Sequence, residues 1–317
     1  MLIQQSAPLA EPEAFCDVGW AMTPQKMLRS VANTASAVLL ALPALAFAQD
    51  NKAASQIPID MTAGSVFDGD YITIGVGAAL SPSYTGSDDY VVSGLPIIFG
   101  SFRGVDINVR PAGFALDFIE DGETIGIDLG PALRLRSDRN NQIADEVVKS
   151  LGKLDRAIEV GPSVGVNFPG VLHRFDSLNA STDILWDING AHGGTVIASS
   201  LTYFTPLSLG IAASLSVNAE IADGDFHDYY FAVSPAQELA TGGAVTAFDP
   251  DGGGLVNLGS TLLVGFDLDG DVRNGGWGLV TILGYSRVMG DARRTPLTAA
   301  RGTADQFFGA FGVGYTF

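Results

Sequence analysis

Residues 306–317 read Gln-Phe-Phe-Gly-Ala-Phe-Gly-Val-Gly-Tyr-Thr-Phe, and this stretch decides the class of fold. Successive side chains of an extended strand point to opposite faces. One face is therefore large and aromatic while the other is mostly small, and the large face comprises Phe307, Gly309, Phe311, Val313, Tyr315 and Phe317. A soluble strand at a chain end would normally fray into water. The pattern instead predicts a transmembrane barrel strand, whose bulky face contacts lipid and whose last aromatics lie in the interfacial girdle.

The same alternation is clearest in residues 123–136. Every charge after Glu123 falls on one face of this segment, and the other face is apolar, with Ile125, Ile127, Leu129, Pro131, Leu133 and Leu135. A charged side chain that faces lipid at the middle of the bilayer costs about 2–4 kcal/mol. The segregation therefore predicts that the charged face lines a wet lumen.

Twelve segments of this kind predict an all-β fold, a transmembrane antiparallel up-and-down β-barrel of about 12 strands. They are residues 71–80, 90–101, 103–110, 113–119, 123–136, 157–168, 171–189, 194–204, 207–221, 255–268, 276–289 and 306–317. We expect a bulge at Pro96, another bulge near residues 176–178, and a turn at Thr205-Pro206. The run 229–234 is not counted as a thirteenth strand, because single-chain bacterial barrels have even strand numbers.

The lengths of the connections indicate which end of the barrel faces the periplasm. Short turns alternate with three long connections, residues 137–156, 222–254 and 290–305. Short turns are typical of the periplasmic side and long loops of the outer side. In the first long loop, Ile143, Val147, Leu151 and Leu154 recur at helical spacing, which predicts an amphipathic helix of about three turns. We expect it to bury the loop's own apolar contacts; docking a partner or plugging the lumen is the alternative.

Residues 1–48 have the features of an N-terminal extension followed by a signal peptide. Lys26 and Arg29 precede an apolar run at residues 31–45, and Ala46-Phe47-Ala48 fits a small-x-small cleavage site. The apolar run is shorter than the roughly 20 residues that a spanning helix needs. We therefore expect export to the outer membrane and cleavage before Gln49.

The domain boundaries follow from this cleavage. Translation is expected to start at Met22 or Met27, which makes the preceding residues an extension of the gene model. Residues 49–70 are polar and are interpreted as a periplasmic lead-in. The barrel is expected to occupy residues 71–317.

Charge and cysteine content argue against nucleic-acid binding and against cysteine chemistry. The 317 residues include 17 Lys and Arg and 35 Asp and Glu, of which residues 1–48 hold two and three, so the exported chain would carry a net charge of −17. Such a balance repels phosphate backbones, and nucleic-acid binding is not expected. The single cysteine, Cys16, is also removed with this segment. We therefore expect neither a disulfide nor a thiol nucleophile.

No pattern of residues indicates a metal, a cofactor or a catalytic centre. His173, His192 and His227 have no catalytic or metal-binding spacing, and loop histidines are usually solvated. A Ser/His/Asp set at the rim, built on His192 or His227, is a distant alternative. The acidic runs 249–252 and 267–271 resemble calcium loops but lack the bidentate glutamate, so we interpret them as turns.

The strand phases direct a mixed set of polar side chains toward the lumen. Both signs of charge occur among them, so charge alone does not indicate cation or anion selectivity. Twelve strands lie between small barrels filled by side chains and larger open porins, and both a narrow pore and a plugged interior fit the sequence. The lumen-lining candidates are Asp106, Arg110, Asp128, Arg134, Arg136, Glu159, Asn167, Asn218 and Glu220.

Several short motifs occur in an order and spacing that resemble the MipA/OmpV family of outer-membrane proteins. They cover nearly all of residues 71–317 and comprise Gly75-Val-Gly77, Pro82-Ser-Tyr84-Thr-Gly86-Ser87-Asp88, Leu95-Pro96, residues 229–234 (Tyr-Tyr-Phe-Ala-Val-Ser), residues 289–292 (Met-Gly-Asp-Ala), Thr295-Pro296-Leu297 and Gly314-Tyr315-Thr316-Phe317. Ala232 and Thr295 depart from the family pattern, which has glycine and serine at these positions.

The resemblance implies an outer-membrane barrel that interacts with a murein-degrading lytic transglycosylase and acts as a scaffold linking it to a murein synthase. Other members of the family resemble osmotically regulated or solute-permeating proteins. The resemblance supplies no catalytic residue and no cofactor. We therefore expect a scaffold for cell-wall enzymes, with a narrow channel for small solutes as the alternative and an outer-membrane hydrolase or acyltransferase as a distant one. The oligomeric state does not follow from the sequence.

Overall fold

The structure is a computed structural model that describes residues 64–119, 122, 124–140 and 142–317. The predicted extension, the signal peptide and most of the lead-in lie at residues 1–63, outside the described residues. Residues 64–70 contain a short 3-10 helix, Val66–Asp68, in which the Phe67 N–H donates to the Ser65 hydroxyl. The first strand follows directly, at Tyr71.

Twelve antiparallel strands form a closed barrel, in which each strand pairs with its neighbours in sequence and β1 pairs with β12. This confirms the predicted class of fold and the number of strands. The strands are β1 (Tyr71–Pro82), β2 (Tyr90–Phe102), β3 (Val105–Arg110), β4 (Gly113–Asp117), β5 (Gly126–Arg136), β6 (Ala157–Pro169), β7 (Ser177–Asp187), β8 (Thr195–Ser208), β9 (Ile211–Ala222), β10 (Gly254–Asp267), β11 (Gly276–Val288) and β12 (Asp305–Thr316).

Alternate side chains of the strands separate an apolar outer surface from the interior. On β1, Ile74 and Val76 are exposed on the outside, whereas Thr73 and Ala79 on the opposite face are buried. Phe311 of β12 is likewise exposed on the outside. The outward side chains are those that the alternation of the sequence assigned to lipid, so the phase predicted for these strands is confirmed.

Two expected features of the middle strands are wrong. β7 begins at Ser177, and the preceding residues form a turn in place of a bulged strand. The turn forms because the Asp176 carboxylate accepts hydrogen bonds from the backbone N–H groups of Val171, Leu172 and His173. Similarly, β8 continues through the expected turn at Thr205-Pro206 to Ser208, with a register shift after Pro206.

The expected bulge at Pro96 is also absent. Over the whole of β2 the register with β1 is continuous, and Pro96 lies opposite Val76 without an extra residue on either strand. A proline within a strand is tolerated where its missing N–H is not needed by a neighbouring strand. Pro96 occupies such a position, because β3 pairs with β2 only at residues 100–102.

The connections divide between the two ends of the barrel as expected. The connections that follow β2, β4, β6, β8 and β10 are short, and they lie at the end where β1 begins and β12 ends. In bacterial barrels the short turns are at the periplasmic end. The three long connections all lie at the other, outer end. Residues 83–89 and 188–194 form the other connections at the outer end, and the β3–β4 turn at residues 111–112 points in the same direction but lies part of the way along β2.

The outer connections contain five short helices, α1 (Glu146–Ser150), α2 (Gly224–Phe231), α3 (Pro235–Ala240), α4 (Gly290–Arg294) and α5 (Pro296–Ala299). The predicted helix of about three turns is therefore wrong in length, since α1 has only five residues. It ends because Gly152 adopts a positive φ and the Leu154 N–H donates to the Arg139 carbonyl. In the run 229–234, the first three residues belong to α2 and the last three connect α2 to α3, so this run does not form a thirteenth strand. Among the described residues, no helix is long and apolar enough to cross a membrane.

Four outer connections pack on one another, and we call them the cap: residues 83–89, residues 137–140 with 142–156, residues 223–253 and residues 289–304. Each contributes to a buried apolar cluster that consists of Tyr84, Ile143, Val148, Val233, Val245 and Leu297. The packing is close: Gly86 has a φ of +94°, and a Cβ there would lie 2.0 Å from Thr298 Oγ1. A second cluster joins the cap to the rim of the barrel through Val196, Ala222, Phe226, Tyr230, Phe231, Val256, Val288 and Ala292.

Candidate functional site

All nine lumen candidates lie at inward positions of their strands. The positions follow from the register, because residues directly opposite each other on paired strands point to the same face. Arg134 lies opposite Glu159, and Asp128 lies opposite Gly165. The structure brings four of the nine into one cluster at the outer end of the lumen, places Arg110 in a second contact that crosses the lumen, and leaves the remaining four along its wall.

The outer cluster is a network of four charges, which we call the ion network. Arg134 binds the Glu159 carboxylate through Nε, and its Nη1 lies 2.8 Å from Glu220 Oε2. Arg136 reaches the same two acids, with Nε 2.7 Å from Glu159 Oε1 and Nη2 2.9 Å from Glu220 Oε2. The arginines are on β5 and Glu220 is on β9, so the bonds to Glu220 cross the interior of the barrel.

A loop histidine completes the surroundings of Glu159. His192, in the connection between β7 and β8, has Nε2 3.2 Å from Glu159 Oε1. Its Nδ1 accepts a hydrogen bond from the Gly194 N–H, so the ring proton is on Nε2 and is donated to the carboxylate. Glu159 is 0% exposed and is held by three donors. Arg134, Arg136 and Glu159 were predicted from strand phase, but the part of His192 was missed because it lies in a loop 33 residues from Glu159.

The cap rests directly on the ion network. The Arg136 guanidinium lies over the Phe226 ring at 4.8 Å and over the Tyr230 ring at 5.9 Å, both on α2. The His192 ring packs against Phe226 as well, at a centroid distance of 5.2 Å. Cation–π contacts of this kind are worth most when the cation is shielded from water. The helix, the arginine and the histidine therefore close the outer end of the lumen together.

A second polar contact crosses the lumen from the β3–β4 hairpin. Arg110 on β3 has Nε 2.9 Å from Asp183 Oδ2 on β7, and its Nη2 lies 3.3 Å from the Ser163 hydroxyl on β6. Ser163 in turn donates to Asp183 at 2.6 Å. Asp183 was not among the predicted candidates, although the outward phase of Ile184 and Trp186 places it inside.

The other four candidates lie along the wall. Asn179 Nδ2 donates to Asp128 at 2.8 Å, and Asn218 Nδ2 to the Thr261 hydroxyl at 3.3 Å. Asn167 lies opposite Asn179. Asp106 lies near the periplasmic end, between Ser101 of β2 and Asp117 of β4. These residues make a continuous polar surface from β3 to β9.

The rest of the lumen has a different character, which strand phase alone did not predict. Inward positions from β10 through β12 and β1 to β2 are mostly apolar or glycine, and we call this surface the apolar wall. Within the described residues, no charged side chain points inward from β11, β12, β1 or β2. The larger side chains of the apolar wall are Leu263, Val280, Ile282, Phe308, Leu95, Ile97 and Phe99.

The structure tests two expectations about chemistry, one by hydrogen bonds and the other by burial. Asp267 Oδ1 accepts from the N–H groups of Asp269 and Asp271, at 2.9 and 3.0 Å, which confirms a turn. The expectation that loop histidines are solvated is wrong for His192 and His227, which are both buried. In the part of the chain that the structure covers, no group of three or more His, Cys, Asp or Glu side chains could hold a metal ion.

His227 lies on α2, in the cap and away from the strands. Its Nδ1 is 3.8 Å from Asp291 Oδ2 on α4. Burial lowers the pKa of the His227 ring below its ordinary value of 6.5, and the carboxylates of Asp291, Asp223 and Asp228 oppose this shift without cancelling it. The cap therefore contains a group that takes up a proton more readily when the cap is open.

Comparison with known proteins gives one family and several distant structures. The chain matches the protein family described as "MltA-interacting protein MipA" over residues 74–317. Among solved structures it is similar to an outer membrane channel from Pseudomonas putida F1, with 12% identity, 78% of this chain and 96% of that chain covered, and a TM-score of 0.40. It is also similar to the toluene transporter TodX of Pseudomonas putida, with 9% identity, 78% of this chain and 89% of that chain covered, and a TM-score of 0.32. No curated protein sequence matches the chain.

We predict that Glu159→Gln destabilises the barrel strongly. The change leaves Arg134 and Arg136 with Glu220 as their one remaining shared acid, and breaking a buried ion pair by removing one partner costs about 3–5 kcal/mol. The measurement is the free energy of unfolding by urea in lipid vesicles. Glu146→Gln is the matched control, because Glu146 pairs with Lys149 on the exposed surface of the cap, and its loss should change little. Equal losses in the two variants would contradict the role given to the ion network.

We also predict that the cap loosens as the pH falls below about 6.5. In the open cap His227 has its ordinary pKa, whereas in the closed cap its pKa is lower, so the closed cap binds the proton more weakly. The stability of the closed cap is therefore complete above the ordinary pKa. It is lost as the pH falls from the ordinary pKa toward the lowered pKa of the closed cap. Hydrogen-exchange protection of α2, corrected for intrinsic exchange, should fall between about pH 7.5 and 5.5. The fall should disappear in His227→Phe and persist in the control His173→Gln. An unchanged fall in His227→Phe would assign the pH dependence to another group.

Proposed function

The chain belongs to the family described as MltA-interacting protein MipA and is an outer-membrane β-barrel, and we propose that it serves as a scaffold for murein-remodelling enzymes. The observation that carries the proposal is the closure of the outer end of the lumen. A barrel whose outer end is filled by its own loops is suited to holding a position in the membrane. In this proposal it has no catalytic residues and takes no cofactor, and it reaches the membrane by export and cleavage before Gln49.

Three layers contribute to the closure. The apolar cluster of the cap joins all four outer connections. Below it, α2 lies on Arg136 and His192. Below α2, the bonds from Arg134 and Arg136 to Glu220 span the interior. These contacts occupy space at the outer end that a constitutive pore for hydrated solutes would need, which supports a structural role.

The periplasmic end offers a surface that could hold a partner. The turn between β6 and β7 is fixed by the Asp176 carboxylate, and it presents Leu172 with 77% of its surface exposed. Next to it the Arg174 guanidinium lies over the Phe175 ring at 4.3 Å. A rigid turn with an exposed leucine and an arginine loses little conformational entropy when a partner binds. We propose that a lytic transglycosylase, which a murein synthase would accompany, binds on this side.

Binding to a purified transglycosylase tests the proposal. The barrel in nanodiscs should bind the soluble domain of a murein lytic transglycosylase, and Leu172→Asp should raise the Kd about tenfold, which corresponds to about 1.4 kcal/mol. Leu239→Asp is the matched control, since Leu239 is an equally exposed leucine on α3 at the opposite end. Absence of binding by the wild-type barrel would refute scaffolding of this enzyme class. Equal weakening by both variants would refute the assigned surface.

A narrow channel for small solutes is the second candidate, and the polar surface from β3 to β9 favours it. Under the scaffold proposal, the barrel in planar bilayers should show no steady unitary current. Under the channel proposal, unitary currents should appear and should change in Arg110→Ala, because that substitution removes the contact across the lumen to Asp183. Single-channel recording on both proteins separates the two candidates, and Lys149→Ala on the exposed cap surface is the control.

A further inference from the structure

The wall of the barrel is interrupted between β2 and β3. β1 pairs with β2 along twelve residues, but the ladder between β2 and β3 has three pairs, from Gly100 opposite Ile107 to Phe102 opposite Val105. β3 then turns into β4 after Arg110, while β2 continues toward the outer end. Among the described residues, no strand pairs with residues 90–99 of β2 on this side. We call this opening the gap.

The backbone of β2 directs hydrogen-bonding groups into the gap. The Phe317 N–H donates to the Ile72 carbonyl, so the even-numbered residues of β1 bond toward β12 and the odd-numbered residues bond toward β2. The even-numbered residues of β2 consequently face away from β1. Pro96 is one of these residues, and its lack of an N–H is tolerated because no strand accepts from it there.

The sides of the gap are apolar both outside and inside. On the outside, Val92, Ile98 and Val109 are exposed beside it. On the inside, Leu95 and Ile97 are at inward positions of β2, and Ile97 reaches far enough that a Cβ on Gly312 of β12 would lie 2.6 Å from its Cδ1. The lipid-facing surface therefore continues through the gap onto the apolar wall.

The polar groups at the edge also have to be accounted for. An unpaired backbone N–H or C=O in hydrocarbon costs several kcal/mol. The edge at Val92, Gly94 and Ile98 is therefore stable only if polar atoms reach it, either water from the lumen or the ester groups of a lipid. Water from the lumen can reach this edge only if the gap opens into the lumen, whereas ester groups can reach it from the bilayer.

We propose that the acyl chain of a surrounding lipid enters the barrel sideways through the gap and lies along the apolar wall. The cap closes the outer end, so hydrocarbon from the bilayer reaches this wall through the side of the barrel. A lipid chain is favoured over an added strand from a second copy, because proline on an exposed edge disrupts strand addition. This lipid site does not depend on the proposed scaffold role or on the passage of hydrated solutes through the lumen.

Tryptophan fluorescence in vesicles of brominated lipid tests the proposal. The two tryptophans of the barrel, Trp186 and Trp277, are first replaced by phenylalanine. A single tryptophan is then introduced as Leu95→Trp, at an inward position beside the gap. Vesicles of lipid brominated on the acyl chain quench a tryptophan that contacts hydrocarbon, and unbrominated vesicles give the reference. We expect Leu95→Trp to lose about as much fluorescence as the outward control Val92→Trp.

The matched inward control is Ser200→Trp, which lies at a similar position along β8 behind a continuous wall. It should lose much less fluorescence than Leu95→Trp. Equal quenching of the two inward tryptophans, or no quenching of Leu95→Trp, would overturn the proposal; the second result is also expected if a strand of another copy fills the gap. Phe99→Trp, a conservative change at the periplasmic side of the gap, gives the same comparison should Leu95→Trp fail to fold.

Discussion

The structure depends on the need of every backbone polar group in hydrocarbon for a hydrogen-bond partner. Closure of the sheet by β1 and β12 meets this need along most of the wall. The closure brings the two strands so near that a Cβ on Gly75 would lie 2.4 Å from the Val313 carbonyl oxygen. With the sheet closed, each strand has one lipid face and one inner face, and the alternation of apolar and polar residues follows. Among the described residues, the gap beside β2 is a place where a strand edge has no partner, and Pro96 lies on that edge.

At the outer end of the lumen, opposite charges pair with one another. Burying an arginine or a glutamate is costly unless it is paired and its hydrogen-bonding groups are used. Two arginines and two glutamates from three strands share their bonds, and His192 supplies a further donor to Glu159. Because the Arg136 guanidinium also packs against two aromatic rings of α2, the ion network inside the barrel is coupled to the packing of the outer loops. A substitution in the ion network should therefore alter the packing of the cap, and a substitution in the cap should alter the ion network.

The lumen has two unlike halves, and this bears on what the protein could do. The polar half is occupied by contacts that cross it, at Arg110 and at the ion network, while the apolar half borders the gap. The closed outer end and the firm periplasmic turn fit a protein that holds others in place. The apolar half fits contact with lipid rather than with water. A scaffold that also binds lipid would be tied to its membrane by more than its outer surface.

The sequence by itself determined the compartment, the class of fold, the strand number and the face of most strands, because period-2 alternation is a local property that each segment carries alone. It also identified Arg134, Arg136, Glu159 and Glu220 as inward, although not as one cluster. Tertiary structure alone decided that β5 and β9 meet across the lumen, that His192 is buried against Glu159, and that α1 is short. It also decided that β3 leaves β2 after three pairs. These features depend on contacts between residues far apart in the chain, and no local pattern of side chains encodes which strand stops pairing or which loop folds over the barrel.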